Sequence, residues 1–128
     1  MILSGKFTRR SCVLVGVMHW AALQVVAVTP NPENGRSLFA TCAACHAPNQ
    51  VTSTGPDLSG VVGRKSGSVP GFRYSRALKN AKFIWDEVRL DAYLAEPQVA
   101  VPGNTMPFPG LPEATERQDL IAYLKTVK

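Results

Sequence analysis

The chain has 128 residues, 45% of them hydrophobic and 18% charged, with a formal net charge of +5. That is one domain's length with enough apolar side chains for a core, which excludes a disordered chain. Three of the charges are Lys6, Arg9 and Arg10; from Val28 onward 11 basic side chains face 9 acidic ones with no basic stripe among aromatics, which argues against a nucleic-acid surface.

Residues 1–27 follow the order of a secretory leader. Lys6, Arg9 and Arg10 form a positive start, a mostly apolar run from Cys12 follows, and Ala27 offers a small residue at the cleavage position. A retained membrane anchor is the competing reading. The run carries His19 and Gln24 and is close to the shortest length that spans a bilayer. Cys12 precedes the apolar run and is badly placed for lipid attachment. Cleavage would remove it and leave a single domain, residues 28–128, with two cysteines. A domain so small and so rich in glycine and proline often needs a staple, a metal or a cofactor.

Four helical segments are expected after the leader. Asn31-Pro32-Glu33 supplies an N-cap, a proline at the first helical position and an acid in the first turn, opening a helix toward Cys42. Val51–Gly71 reads as a long loop, with glycines at 55, 60, 63, 67 and 71; loops of that length in small domains usually serve a function. A short helix is expected over Ser75–Asn80. Another starts near Asp86, places Leu90, Tyr93 and Leu94 on one face and stops at Pro97. The last is expected to open with a capping box at Thr115 and Gln118 and to align Leu120, Ile121, Leu124 and Val127. No segment alternates as a strand, so the class is all-α.

Cys42-Ala43-Ala44-Cys45-His46 carries the chemistry. C-x-x-C-H is the attachment pattern of a c-type haem. Residues three and four apart share a helix face, so Cys42 and Cys45 can form thioethers along one porphyrin edge while His46 offers an imidazole to the iron. Ala43 and Ala44 are small enough for the backbone to lie against the ring. A thioredoxin-like disulfide, a zinc site and two buried free cysteines compete with this. The first lacks its βαβ setting and the second lacks further ligands. The third leaves the adjacent histidine unexplained.

His46 and Met106 are the only histidine and methionine after the leader. Met106 lies between Pro102 and Pro107, and the residue before a proline is held extended. It is therefore the candidate for the second axial position. A gap-filling core methionine and ligation by lysine are the alternatives.

These features sit in a wider pattern: Gly35 and Phe39 before the cysteines, Gly-Pro-Asp-Leu-Ser-Gly from Gly55, Gly-Arg-Lys-Ser-Gly from Gly63 and Pro-Gly-Phe-Arg-Tyr from Pro70. Trp85, Tyr93-Leu94, Pro-Gly-Asn-Thr-Met from Pro102 and Asp-Leu-Ile-Ala-Tyr-Leu-Lys from Asp119 follow in order. Over about Asn34 to Lys125 the sequence resembles the class I cytochromes c. The resemblance implies a small cytochrome c fold, with about four helices and long loops around one covalently bound haem c. It implies that Gly35 and Phe39 pack the first helix against Leu120, Tyr123 and Leu124. It further implies that the Pro56 carbonyl accepts a hydrogen bond from His46. Arg64, Tyr74 and Trp85 would surround the haem propionates, Gly67 would let the loop pass close to one of them, and Tyr93 would lie near Met106. Taken alone, Tyr74 and Trp85 would more often be core aromatics.

One departure concerns docking. Where the mitochondrial relatives carry lysines around the haem edge, this chain has Thr41, Gln98, Val99, Thr105, Pro112 and Glu113. The low charge there predicts a small contact around Val99 and Phe108 with weak salt dependence.

The function implied is a non-enzymatic electron carrier with a His46/Met106-ligated haem c, exported to the periplasm. It would shuttle electrons between partners of a respiratory, photosynthetic or dehydrogenase chain. The expected partners are redox proteins: a membrane oxidoreductase, an oxidase or a dehydrogenase. No nucleic acid and no stable membrane insertion are expected once the leader is removed, and the expected state is a monomer. A haem enzyme or sensor of peroxidase type, and a fixed cytochrome subunit of a larger complex, are the other readings.

Overall fold

A computed structural model describes residues 29–47 and 54–128. The expected leader lies outside the described residues, as does the start of the long loop at 51–53. The described residues form five helices: α1 Pro32–Ala43, α2 Arg76–Ala81, α3 Glu87–Ala95, α4 Pro97–Ala100 and α5 Ala114–Leu124. The sole β feature among them is an antiparallel bridge between Lys65 and Ile84.

Three of the helices start where they were expected, α1 by the cap read from the sequence and α2 and α3 by caps that the structure adds. Asn31 caps α1 by accepting from the Glu33 N–H at 3.0 Å, with Pro32 in the first turn. Ser75 caps α2 through the Leu78 N–H, and Asp86 caps α3 through the Arg89 N–H at 2.7 Å. Each side-chain oxygen satisfies a donor that the helix itself leaves unpaired.

Two expectations are corrected. Pro97 ends α3 as expected, but it also opens α4, a single turn closed by Val101 N–H to the Pro97 carbonyl at 3.0 Å. A residue with no N–H and a fixed φ suits a helix's first position as well as it ends the previous one. The capping box at α5 does not form. The helix starts one residue before Thr115, after Glu113, and has no side-chain cap. Its entry is held instead by Arg117, which donates to the Leu111 and Pro112 carbonyls at 2.9 and 2.6 Å and pairs with Asp91 at 2.7 Å.

The core lies where α1, α3 and α5 meet. Phe39, Leu90, Tyr93, Leu94, Leu120, Ile121 and Leu124 are buried there together with Trp85. The packing of α1 on α5 turns on Gly35, because a Cβ at that position would run into the Asp119 carbonyl and lie 2.8 Å from the Tyr123 Cβ. One turn on, the Phe39 and Tyr123 rings meet with centroids 5.2 Å apart. The helix crossing read from the resemblance is therefore present.

Candidate functional site

At the C-terminal end of α1 the chain turns tightly. The Cys45 and His46 N–H groups both donate to the Cys42 carbonyl, at 3.0 and 2.8 Å. This turn keeps the two thiols and the imidazole together at the mouth of an apolar cleft. The cleft encloses about 980 Å³ counting its open side.

The cleft brings together Cys42, His46, Pro56, Arg64, Tyr74, Trp85, Tyr93 and Met106, all singled out from the sequence. Its remaining wall is largely core side chains, among them Phe39, Leu90, Leu94, Leu120 and Leu124. Cys45 is half-buried and Gly67 does not line the cleft. What Gly67 provides is a close approach elsewhere. Its φ is +64°, and a Cβ there would come within 2.8 Å of the Leu78 carbonyl, so it lets the loop lie against α2.

His46 is buried, and its Nδ1 lies 2.8 Å from the Pro56 carbonyl oxygen. A carbonyl can only accept, so Nδ1 carries a proton and Nε2 is the nitrogen left to bind a metal. Gly55 makes this contact possible: a Cβ there would stand 2.9 Å from Nδ1 and 2.6 Å from the Cys45 carbonyl. Burial pushes the Cys42 thiol above its ordinary range, with the neighbouring Cys45 adding to the effect.

The Met106 segment is held by a side chain that the sequence reading passed over. Asn104 is buried, and its Oδ1 accepts from the Met106 N–H at 3.0 Å and from the Tyr93 hydroxyl at 3.3 Å. Its Nδ2 donates to the Pro97 and Val101 carbonyls at 2.7 and 2.9 Å. The Tyr93 hydroxyl also lies 3.5 Å from the Met106 sulfur. Asparagine bonding the backbone two residues on is a known turn device, and Pro102-Gly103-Asn104 carried that signal. Burial raises the Tyr93 pKa to about 12, so the hydroxyl stays a donor at neutral pH. Trp85 packs edge-on against Tyr93 at 5.0 Å and against Phe83 at 4.6 Å. The Arg64 guanidinium donates to the Asp57 and Ser59 carbonyls at 2.7 and 3.0 Å, which fixes it at the cleft wall with N–H groups to spare.

These residues fit a haem. A neutral imidazole nitrogen and a thioether sulfur are donors of the kind that bind haem iron. They share one apolar cleft with a thiol, and a second thiol stands one turn away. No cluster of three or more His, Cys, Asp or Glu that could hold a bare metal ion occurs among the described residues, so the zinc alternative finds no ligand set there.

Comparison with known proteins agrees. The family model described as cytochrome c matches residues 32–128. Cytochrome c2 of Rhodoblastus acidophilus is 44% identical over 100 residues, covering 77% of this chain and 94% of that protein. Cytochrome c of Euglena viridis is 47% identical over 98 residues, covering 75% of this chain and 96% of its own length. Among solved structures, cytochrome cH from Methylobacterium extorquens superposes with a TM-score of 0.72 at 42% identity, over 75% of this chain and 98% of that one. The chain belongs to the cytochrome c family, and it is an electron carrier whose cofactor is covalently bound haem c.

Proposed function

We propose that this chain is an exported, single-haem carrier in which Cys42 and Cys45 would hold the haem by thioethers and His46 Nε2 and Met106 Sδ would bind its iron. The observation that carries this reading is the donor pair. A histidine with its free nitrogen defined by the Pro56 contact and a methionine held by Asn104 and Tyr93 line the same apolar cleft. When bound, the haem supplies a one-electron couple between ferrous and ferric iron.

The protein's own groups set the conditions for that couple. The Pro56 carbonyl fixes the imidazole's orientation and raises its basicity. Ligation by the Met106 thioether together with the His46 imidazole would raise the potential. The apolar wall excludes water from the cleft. Arg64, Tyr74 and Trp85 bring polar hydrogens to an otherwise apolar wall, where buried carboxylates such as haem propionates need donors. The partners are redox proteins: a membrane oxidoreductase, an oxidase or a dehydrogenase.

Export to the periplasm follows from the basic, apolar, small-residue order of the first 27 residues. Mass spectrometry of the native protein should find a chain beginning near Val28. A mature protein that keeps Met1–Ala27 in the membrane would favour the anchor. Acid–organic extraction tests the attachment: the haem stays with the protein if the thioethers form, and extractable haem contradicts them.

A further inference from the structure

The low net charge conceals a segregation. Between Leu58 and Trp85 there are six basic side chains and no acidic one, whereas the rest of the chain from Thr29 on has five basic against nine acidic. Of the six, Arg64 faces the cleft and Lys65, Arg73, Arg76, Lys79 and Lys82 are exposed. None of these five takes part in an ion pair among the described residues. Even with the two carboxylates of a haem counted against it, the segment stays strongly cationic.

The fold gathers these charges. Arg76 and Lys79 stand three residues apart on α2, a spacing that puts side chains on one face, and Lys82 follows as the helix's left-handed C-cap. The Ser66 N–H donates to the Phe83 carbonyl at 2.8 Å, and the bridge it belongs to sets Lys65 opposite Ile84, two residues on from Lys82. Helix stability accounts for Lys79 and Lys82, at the C-terminal end of α2 where the dipole favours cations, but not for Arg76, whose cation in the first turn opposes it.

The row is also the outer side of the cleft wall. Arg64, Phe72, Tyr74, Ser75 and Leu78 line the cleft, and Lys65, Arg73, Arg76 and Lys79 are their exposed sequence neighbours. A partner seated here is separated from the cleft by a single layer of chain.

Resting on the electron-carrier reading above, we propose that the Lys65–Lys82 face is the docking surface for an acidic face of a redox partner. Between Lys65 and Lys82 no large apolar side chain is exposed, and Ile84, opposite Lys65, stands alone at the edge of the face, whereas a face that enters a lipid surface pairs its cations with a whole row of exposed apolar groups. Thr41, Gln98, Val99, Thr105 and Pro112 are uncharged and Glu113 is acidic, so the cations that could steer a partner lie on the Lys65–Lys82 face. This proposal departs from the weak salt dependence expected from the low charge around Val99 and Phe108.

Voltammetry of the holoprotein tests the proposal, with a gold electrode carrying a carboxylate-terminated monolayer as the acidic face. The wild type should adsorb and exchange electrons at about 0.01 M ionic strength, where the Debye length is ~30 Å, and be released by about 0.15 M, where it is ~8 Å. The Arg76→Glu/Lys79→Glu double variant should bind about tenfold more weakly or worse. The Arg36→Glu/Lys128→Glu variant, with the same change in net charge at exposed positions elsewhere, should stay near wild type. Equal weakening in the two double variants, or none in either, overturns the proposal. Retention on phosphatidylglycerol vesicles without binding to the carboxylate monolayer overturns it in favour of a lipid surface. A hydroxyl-terminated electrode reads the carrier itself: all three proteins should give the same reversible wave there, and its loss in the wild type would count against the electron-carrier reading.

Discussion

Asn104 engages both ends of its amide at once. Its oxygen holds the Met106 N–H and the Tyr93 hydroxyl, and its nitrogen holds two carbonyls at the start and end of α4. Asn104→Ala would leave buried groups unpaired at about 1–3 kcal/mol each and free the methionine segment. Cyanide should then bind the ferric protein about tenfold more tightly or better, because each ~1.4 kcal/mol is a factor of ten; unchanged affinity would show that Asn104 does not position the sulfur. Met106→Ala should lower the potential and open the iron to small ligands, with loss of the ferric sulfur band; an unchanged band and potential would mean that another group binds. Tyr93 gives a pH test. Its pKa is raised by burial to about 12, against about 10 in an unfolded chain. Its contribution to stability is therefore complete below pH ~10 and is lost as the pH rises toward 12. Tyr93→Phe should remove that part of the alkaline loss in a denaturation series. The cysteines, His46 and Met106 were legible in the sequence because their chemistry and spacing are local. Asn104 was harder to see, since its four partners are defined only once α4 and the methionine loop have folded together.

At the scale of elements, the starts of α1, α2 and α3 were legible because each is written in two or three adjacent residues. The start of α5 was not, because Arg117 holds it from inside the helix through Asp91 on α3 and the carbonyls before it. The fourth helix was hidden because Pro97 was read only as a stop. Gly35 decides the sign of a common substitution. In an isolated helix Gly→Ala stabilises by up to about 1 kcal/mol. Here the added Cβ meets the Asp119 carbonyl and the Tyr123 side chain, so Gly35→Ala should destabilise the protein by about 1–3 kcal/mol. A lower denaturant midpoint with an unchanged slope would show this; a stabilised variant would contradict the close crossing of α1 and α5. Leu124→Ala, in the same core, should cost about 2–5 kcal/mol.

Over the whole molecule, core and cleft are one structure. Phe39, Trp85, Leu90, Tyr93, Leu94, Leu120 and Leu124 belong to both. A chain of this size with an apolar cleft running into its core depends on what fills it. The haem-free mature chain should therefore lack a cooperative unfolding transition, and a stably helical, cooperative apoprotein would contradict this. The fold class was legible because helical periodicity and caps dominate the sequence. The charge segregation was obscured by adding all charges into one number. The central claim is that one haem is attached at Cys42 and Cys45 and ligated by His46 and Met106. Absorption spectra of the purified protein in both redox states, with a pyridine haemochrome assay, test it most directly. The account predicts a haemochrome of the two-thioether type, one haem per chain and a sulfur-to-iron band in the ferric protein. A haemochrome of unattached haem, or a ferric spectrum without that band, would contradict it.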